Sequence, residues 1–164
     1  MRESPDLIVT CRTSSVELCK QEVGNVIFRR DQRVKIEETP FRGVLFIYTS
    51  LGPDRAYAVS SRREYGFVES IIPVHCALKS PPPVNELAEC LEKVVKLSEI
   101  KLRVKSRGLR GVSTDIFKSV SEVISRLGGR HSPQAQKCLY VEVFRDSVYV
   151  GLGDCLSVFK SRIE

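Results

Sequence analysis

Three consecutive prolines, Pro81, Pro82 and Pro83, constrain the fold more than any other feature of this 164-residue chain. Each fixes φ and removes a backbone donor, so neither a helix interior nor a central strand runs through Ser80–Val84. An extended linker is expected there. It divides the chain into residues 1–79 and 80–164, each the size of a small domain. Hydrophobic residues make up 42% of the chain, enough for a core in each half.

In the first half, Asp6 to Cys11 reads as a buried strand. Ser14 and Ser15 offer an N-cap to a helix whose apolar groups fall at Val16, Leu18, Cys19, Val23, Val26 and Ile27. Arg33 to Glu38 alternates apolar and charged, as a half-exposed strand does, and Gly43 opens a second buried strand, GVLFIYTS. Asp54 is placed to cap a short helix reaching about Arg63. Phe67 to Leu78 reads as one long strand, with Pro73 at an edge or bulge. The order strand, helix, strand, strand, helix, strand predicts a ferredoxin-like sheet with both helices on one face.

The second half opens with a helix that gathers Val84, Leu87, Leu91, Val94, Val95 and Leu97 on one side. Ile100, Leu102 and Val104 alternate with Lys101, Arg103 and Lys105, so the next element is a strand with one basic face. Ser113 is the expected N-cap of a helix to about Leu127, closed by Gly128 and Gly129. Two strands, CLYVEVF and SVYVGLG, follow around a tight turn at Asp146. The fold class expected is α+β in both halves.

Chemistry concentrates between Lys101 and Gly111, where KLRVKSRGLRG holds five basic residues and no acid. Lys101, Arg103 and Lys105 form a row on the strand, and Arg107 and Arg110 extend it into the loop. Gly108 and Gly111 allow close backbone approach to a ligand. Regularly spaced cations beside a helix N-terminus suit a phosphate backbone. A solvated outer strand face would show the same alternation. The net charge of +6 and pI of about 9.1 fit an acidic partner or simple solubility. Arg29, Arg30, Arg33, Arg62 and Arg63 read as solvated helix-end cations, with additional RNA contacts as the alternative. Tyr65 and Phe67 have rings able to stack on bases, with Phe67 better placed in a core.

This arrangement resembles the THUMP domain: a strand, then KSRGLRG, a helix started by Ser113, and a strand pair ending VYVGL. The first half resembles the ferredoxin-like domain that precedes THUMP. The whole is similar to stand-alone THUMP proteins that serve as adaptors for tRNA cytidine N4-acetylation. The resemblance implies that Lys105, Arg107, Gly108, Arg110 and Ser113 face RNA. It implies tRNA as ligand and a separate tRNA-modifying enzyme, an RNA cytidine acetyltransferase, as partner. Two departures stand out: Ser121 occupies the place of the family's mid-helix glycine, and Pro133 lies upstream of its turn.

Other classes are disfavoured. No G-x-G-x-x-G follows a strand and no Walker loop is present, so no cofactor is expected. His75 and His131 lack partners for a triad or metal site. Neither a signal peptide nor an apolar run near the ~20 residues of a membrane helix is evident. A cytoplasmic protein without catalytic activity is therefore expected. The cysteines, Cys11, Cys19, Cys76, Cys90, Cys138 and Cys155, contain no C-x-x-C pair and read as buried packing residues. Only two asparagines and one methionine occur, and arginine outnumbers lysine, as in heat-stable proteins where intracellular disulfides are less surprising. Two competing readings are a ferredoxin-like protein-interaction or regulatory module and a small enzyme with a reactive cysteine.

Overall fold

A computed structural model describes residues 4–12, 15–95, 99–108 and 111–160. The chain separates into two units. One comprises residues up to Val74 together with those from Leu156 onward, and the other His75–Cys155.

The first unit begins with β1 (Leu7–Cys11), α1 (Val16–Phe28), β2 (Lys35–Glu38), β3 (Val44–Tyr48) and α2 (Pro53–Ser60). It continues through β4 (Glu64–Tyr65) to β5 (Val68–Pro73). The expected β-α-β-β-α-β order is present, with the two-residue β4 added. The sheet runs β2-β3-β1-β5, and every neighbour in it is antiparallel. Period-two alternation sends Leu7, Val9, Leu45 and Ile47 into the core. There they meet Cys19, Val23 and Ile27, spaced four apart on α1. Ser15 stands at the N-cap of α1 without a side-chain capping bond, and Ser14 lies outside the described residues. Gly52 precedes Pro53 at the start of α2, and Asp54 sits in its first turn rather than at the cap.

One carboxylate fixes the turn between β4 and β5. Glu22 of α1 accepts hydrogen bonds from the backbone N–H groups of Gly66 (2.7 Å), Phe67 (2.7 Å) and Val68 (3.1 Å). Three donors that a turn would otherwise leave open are thereby tied to the helix. Asp31 does similar work, accepting from the N–H groups of Ser50 (2.8 Å) and Arg33 (3.0 Å). These bonds, with Ser50 first, hold its carboxyl below the ordinary range despite opposing burial. Tyr65 is buried rather than free to stack on a base, and its hydroxyl donates to the Ser60 carbonyl at 2.6 Å. Phe67 packs against the core.

The second unit contains β6 (Cys76–Lys79), α3 (Val84–Val94), β7 (Glu99–Ser106), α4 (Val112–Arg126), β8 (Arg130–His131), β9 (Lys137–Val143) and β10 (Ser147–Asp154). Its sheet runs β6-β10-β9-β7-β8. β7 is parallel to both β9 and β8, while β10 is antiparallel to β9 and β6. Leu87, Cys90 and Leu91 of α3 and Ile116, Val120, Val123 and Ile124 of α4 close over Ile100, Leu102, Leu139, Val141, Val148 and Val150. The two histidines carry structural hydrogen bonds here. His75 Nδ1 accepts from the Leu152 N–H at 3.0 Å, and His131 Nδ1 from the Leu102 N–H at 3.1 Å.

Three expectations change. The strand expected from Phe67 to Leu78 is two: β5 ends at Pro73, and β6 pairs with β10 in the other unit. The division falls between Val74 and His75, so the proline run connects β6 to α3 inside the second unit instead of joining the halves. Second, the chain beyond Leu156 returns to the first unit. There β11 (Phe159–Lys160) pairs with β4, Val158 joins the core, and the Ser157 hydroxyl accepts from the Ile71 N–H at 3.0 Å.

Third, the cysteines are not free packing residues. They form three disulfides, Cys11–Cys19, Cys76–Cys90 and Cys138–Cys155, with Cα separations of 5.8, 6.1 and 4.9 Å. Partners lie only 8, 14 and 17 residues apart, and each pair joins a strand to the helix or turn packed beside it. The apolar strings around Cys11 and Cys138 reflect buried cross-links, a pairing that spacing alone does not specify.

Candidate nucleic-acid interface

The basic row follows directly from strand geometry. In β7, Ile100 and Leu102 enter the core and Val104 is half-buried, which turns Lys101, Arg103 and Lys105 to the opposite face of the sheet. Arg103 and Lys105 are exposed, and Lys101 is half-buried. Their partners in register on β9 are Cys138, Tyr140 and Glu142.

Arg107 differs from the others. By sequence it belongs with the exposed loop cations, but its side chain is only 11% exposed and its Nη2 lies 3.2 Å from Oε1 of Glu142, itself 4% exposed. Burial pushes the Glu142 carboxyl up from its ordinary range, while the charges of Arg107 and Lys105 oppose that push. Arg107 thus neutralises an acid buried within the basic face, and among the described cations of this stretch Arg103 and Lys105 are the exposed ones.

Beyond Arg107, Gly108 and Gly111 have φ of +77° and +79°. Both values lie in the left-handed region that glycine adopts without steric cost. Arg110 lies outside the described residues. Gly111 is the N-cap of α4, with no side-chain capping bond, and Ser113 falls one residue inside the helix rather than at the cap. The left-handed glycine lets the helix begin at Val112, and the N–H groups of that first turn have no capping side chain to receive them.

Ser113 borders a shallow concavity of about 450 Å³ with Val104, Thr114, Phe117 and Lys118. Phe117 lies off the buried stripe of Ile116, Val120, Val123 and Ile124, which is the one signal by which the sequence marks it. Its ring meets His131 edge to face, with centroids 5.8 Å apart. A second groove, of about 640 Å³, lies between α3 and α4, and its lining combines apolar residues such as Val84, Leu87 and Ile116 with the charged Asp115, Glu122 and Arg126. Among the described residues no group of three or more metal-ligating side chains is present. No described helix is long and apolar enough to cross a membrane.

No protein-family model and no curated protein matches the chain. Solved structures do. PH1313 from Pyrococcus horikoshii Ot3 superposes with a TM-score of 0.65 at 13% identity, over 96% of this chain and 56% of that one. TrmN from Thermus thermophilus gives 0.64 at 12% identity, over 89% and 44%. A 4-thiouridine synthetase, solved as an RNA complex with bound ATP, gives 0.54 at 12% identity, over 97% and 43%. The chain spans about half the length of the solved chains it matches. Likeness at these identities shows the fold alone, a mixed α+β, THUMP-like architecture.

Proposed function

We propose that the chain is a tRNA-binding adaptor in which a ferredoxin-like unit accompanies a THUMP unit. It holds tRNA for a separate modification enzyme. The observation that carries this reading is the face of β7, where Lys101, Arg103 and Lys105 precede two glycines at positive φ, Gly108 and Gly111, and an uncapped helix start. Cations on alternate residues of a strand form a rigid row, and a phosphate backbone gains from such a row without base recognition. The RNA bound by the similar 4-thiouridine synthetase is in keeping with it. The partner enzyme, by the resemblance of the sequence, is an RNA cytidine acetyltransferase. In this reading the chain itself turns nothing over and works in a cytoplasm that leaves its disulfides oxidised.

The test is tRNA affinity across a salt series for Arg103→Glu combined with Lys105→Glu, beside a thermal melt. Binding should weaken sharply at temperatures where the melt shows the variant folded, the melt itself reporting the cost of an acid placed opposite Glu142. The salt slope should flatten by roughly 0.7 to 0.9 for each phosphate no longer neutralised. Arg29→Glu with Arg30→Glu is the control and should do less. Wild-type binding by the strand variant at every salt concentration would remove the proposed site.

The groove between α3 and α4, which sets apolar side chains beside Asp115, Glu122, Arg126 and Arg145, favours a second reading, a protein-interaction module without RNA. Absence of tRNA binding by the wild-type chain at low salt would select it.

A further inference from the structure

The concavity beside Phe117 has features that neither the core nor the basic row explains. It is about 450 Å³, within the ~300–1,000 Å³ of small-ligand sites. Its floor and walls combine an aromatic ring, a cation and two hydroxyls, from Phe117, Lys118, Ser113 and Thr114. Phe117 is 37% exposed although α4 buries a complete apolar stripe on its other side. Its ring rests edge to face on His131, whose own ring is anchored by the Leu102 N–H. The phenyl ring therefore stands against a fixed backstop with surface still facing solvent.

The strand beside it is open. Beyond Ile100, β7 has no strand partner on the β8 side among the described residues, although the Leu102 N–H still reaches His131. The Leu102 N–H and the Ile100 carbonyl face that side and are already taken, by His131 Nδ1 and the Ser132 N–H, which fixes the direction of the edge. By strand alternation the main-chain groups of Val104 point there too, and Val104 lines the concavity. An aromatic platform, a main-chain donor and acceptor, and a nearby ammonium are together what an unpaired nucleotide requires: a face for the base, partners for its edge and a charge for its phosphate.

We infer that this concavity takes one unpaired nucleotide of the bound RNA, its base stacked on Phe117 and its phosphate near Lys118. The inference rests on the RNA-binding reading and adds a base-contacting subsite to a surface otherwise built for backbone.

The chain contains no tryptophan, so Phe117→Trp places a single indole reporter in the subsite. Its fluorescence should be quenched by tRNA and by a short single-stranded oligoribonucleotide, and little by a blunt RNA duplex of equal length. Phe117→Leu should lower oligoribonucleotide affinity roughly tenfold or more with an unchanged melt, and provides a readout if the indole is not tolerated. An unquenched indole alongside normal tRNA binding, or wild-type affinity of Phe117→Leu, would overturn the subsite and leave the adaptor reading standing. Failure of the wild-type chain to bind tRNA would overturn both.

Discussion

Arg107 and Glu142 form a buried ion pair, 3.2 Å between Nη2 and Oε1, on the same side of the sheet as the exposed cations of β7. Breaking such a pair strands one charge out of water, and the cost of that exceeds what the intact pair contributes. Arg107→Ala should lower stability by about 3 kcal/mol or more. Burial raises the Glu142 carboxyl and Arg107 opposes the rise, so the variant should favour a protonated Glu142 more strongly. A raised carboxyl supports the fold below its unfolded value and loses that support as pH rises through its folded value. The deficit of Arg107→Ala should therefore shrink on acidification. Melts of both proteins at neutral and mildly acidic pH decide the matter, and a pH-independent deficit would contradict it.

Tyr65 gives the corresponding test at alkaline pH. Burial pushes its hydroxyl from 10.0 up to about 12. The stability tied to its neutral form is present below pH 10 and is lost as pH rises through about 12. Ionisation also removes the donor to Ser60. Wild-type protein should weaken across this interval more steeply than Tyr65→Phe, as followed by circular dichroism with a parallel ultraviolet titration of tyrosinate.

The disulfides predict separable effects on folding and binding. A closed loop of about 15 residues stabilises by roughly 3 kcal/mol through the unfolded chain. Cys138→Ser with Cys155→Ser should cost about that much, since their separation is 17 residues. Cys11→Ser with Cys19→Ser closes a shorter loop, 8 residues, and should cost less. tRNA affinity at a temperature where the variants remain folded should not change. Alkylation of the native protein without reductant should label no cysteine, because none is free among the described residues.

Glu22→Ala should destabilise the first unit by about 2 to 3 kcal/mol, leaving the amides of Gly66, Phe67 and Val68 without their shared acceptor. Glu22→Gln should recover part of this, keeping one oxygen but no charge. Hydrogen exchange at the three amides reports it directly. Unchanged protection in Glu22→Ala would show that another group holds the turn.

Periodicity reveals most of the elements because it records which face each one buries. Val23 and Ile27 on α1, and Ile100 and Leu102 on β7, announce their elements by spacing alone. The boundary between units is hidden for the same reason. β5 and β6 are both apolar enough to read as one strand, and only the pairing of Cys76–Lys79 with β10 separates them. Lys101, Arg103 and Lys105 are legible because they alternate with core residues. Arg107 keeps the same phase, and its difference lies in Glu142, 35 positions away in sequence. Phe117 leaves a trace by falling off its stripe, whereas its ring contact with His131 is a tertiary fact.

The return of Ser157 and Val158 to the first unit has a consequence for synthesis. Domains generally fold as they leave the ribosome, the N-terminal one first. Here His75–Cys155 is contiguous and has every strand of its sheet once β10 emerges. The unit that begins at β1 still lacks Val158 in its core and the Ser157 hydroxyl that receives the Ile71 amide. The part made first is thus finished last, and a released chain truncated after Cys155 would carry every strand of the second sheet with an unfinished first unit.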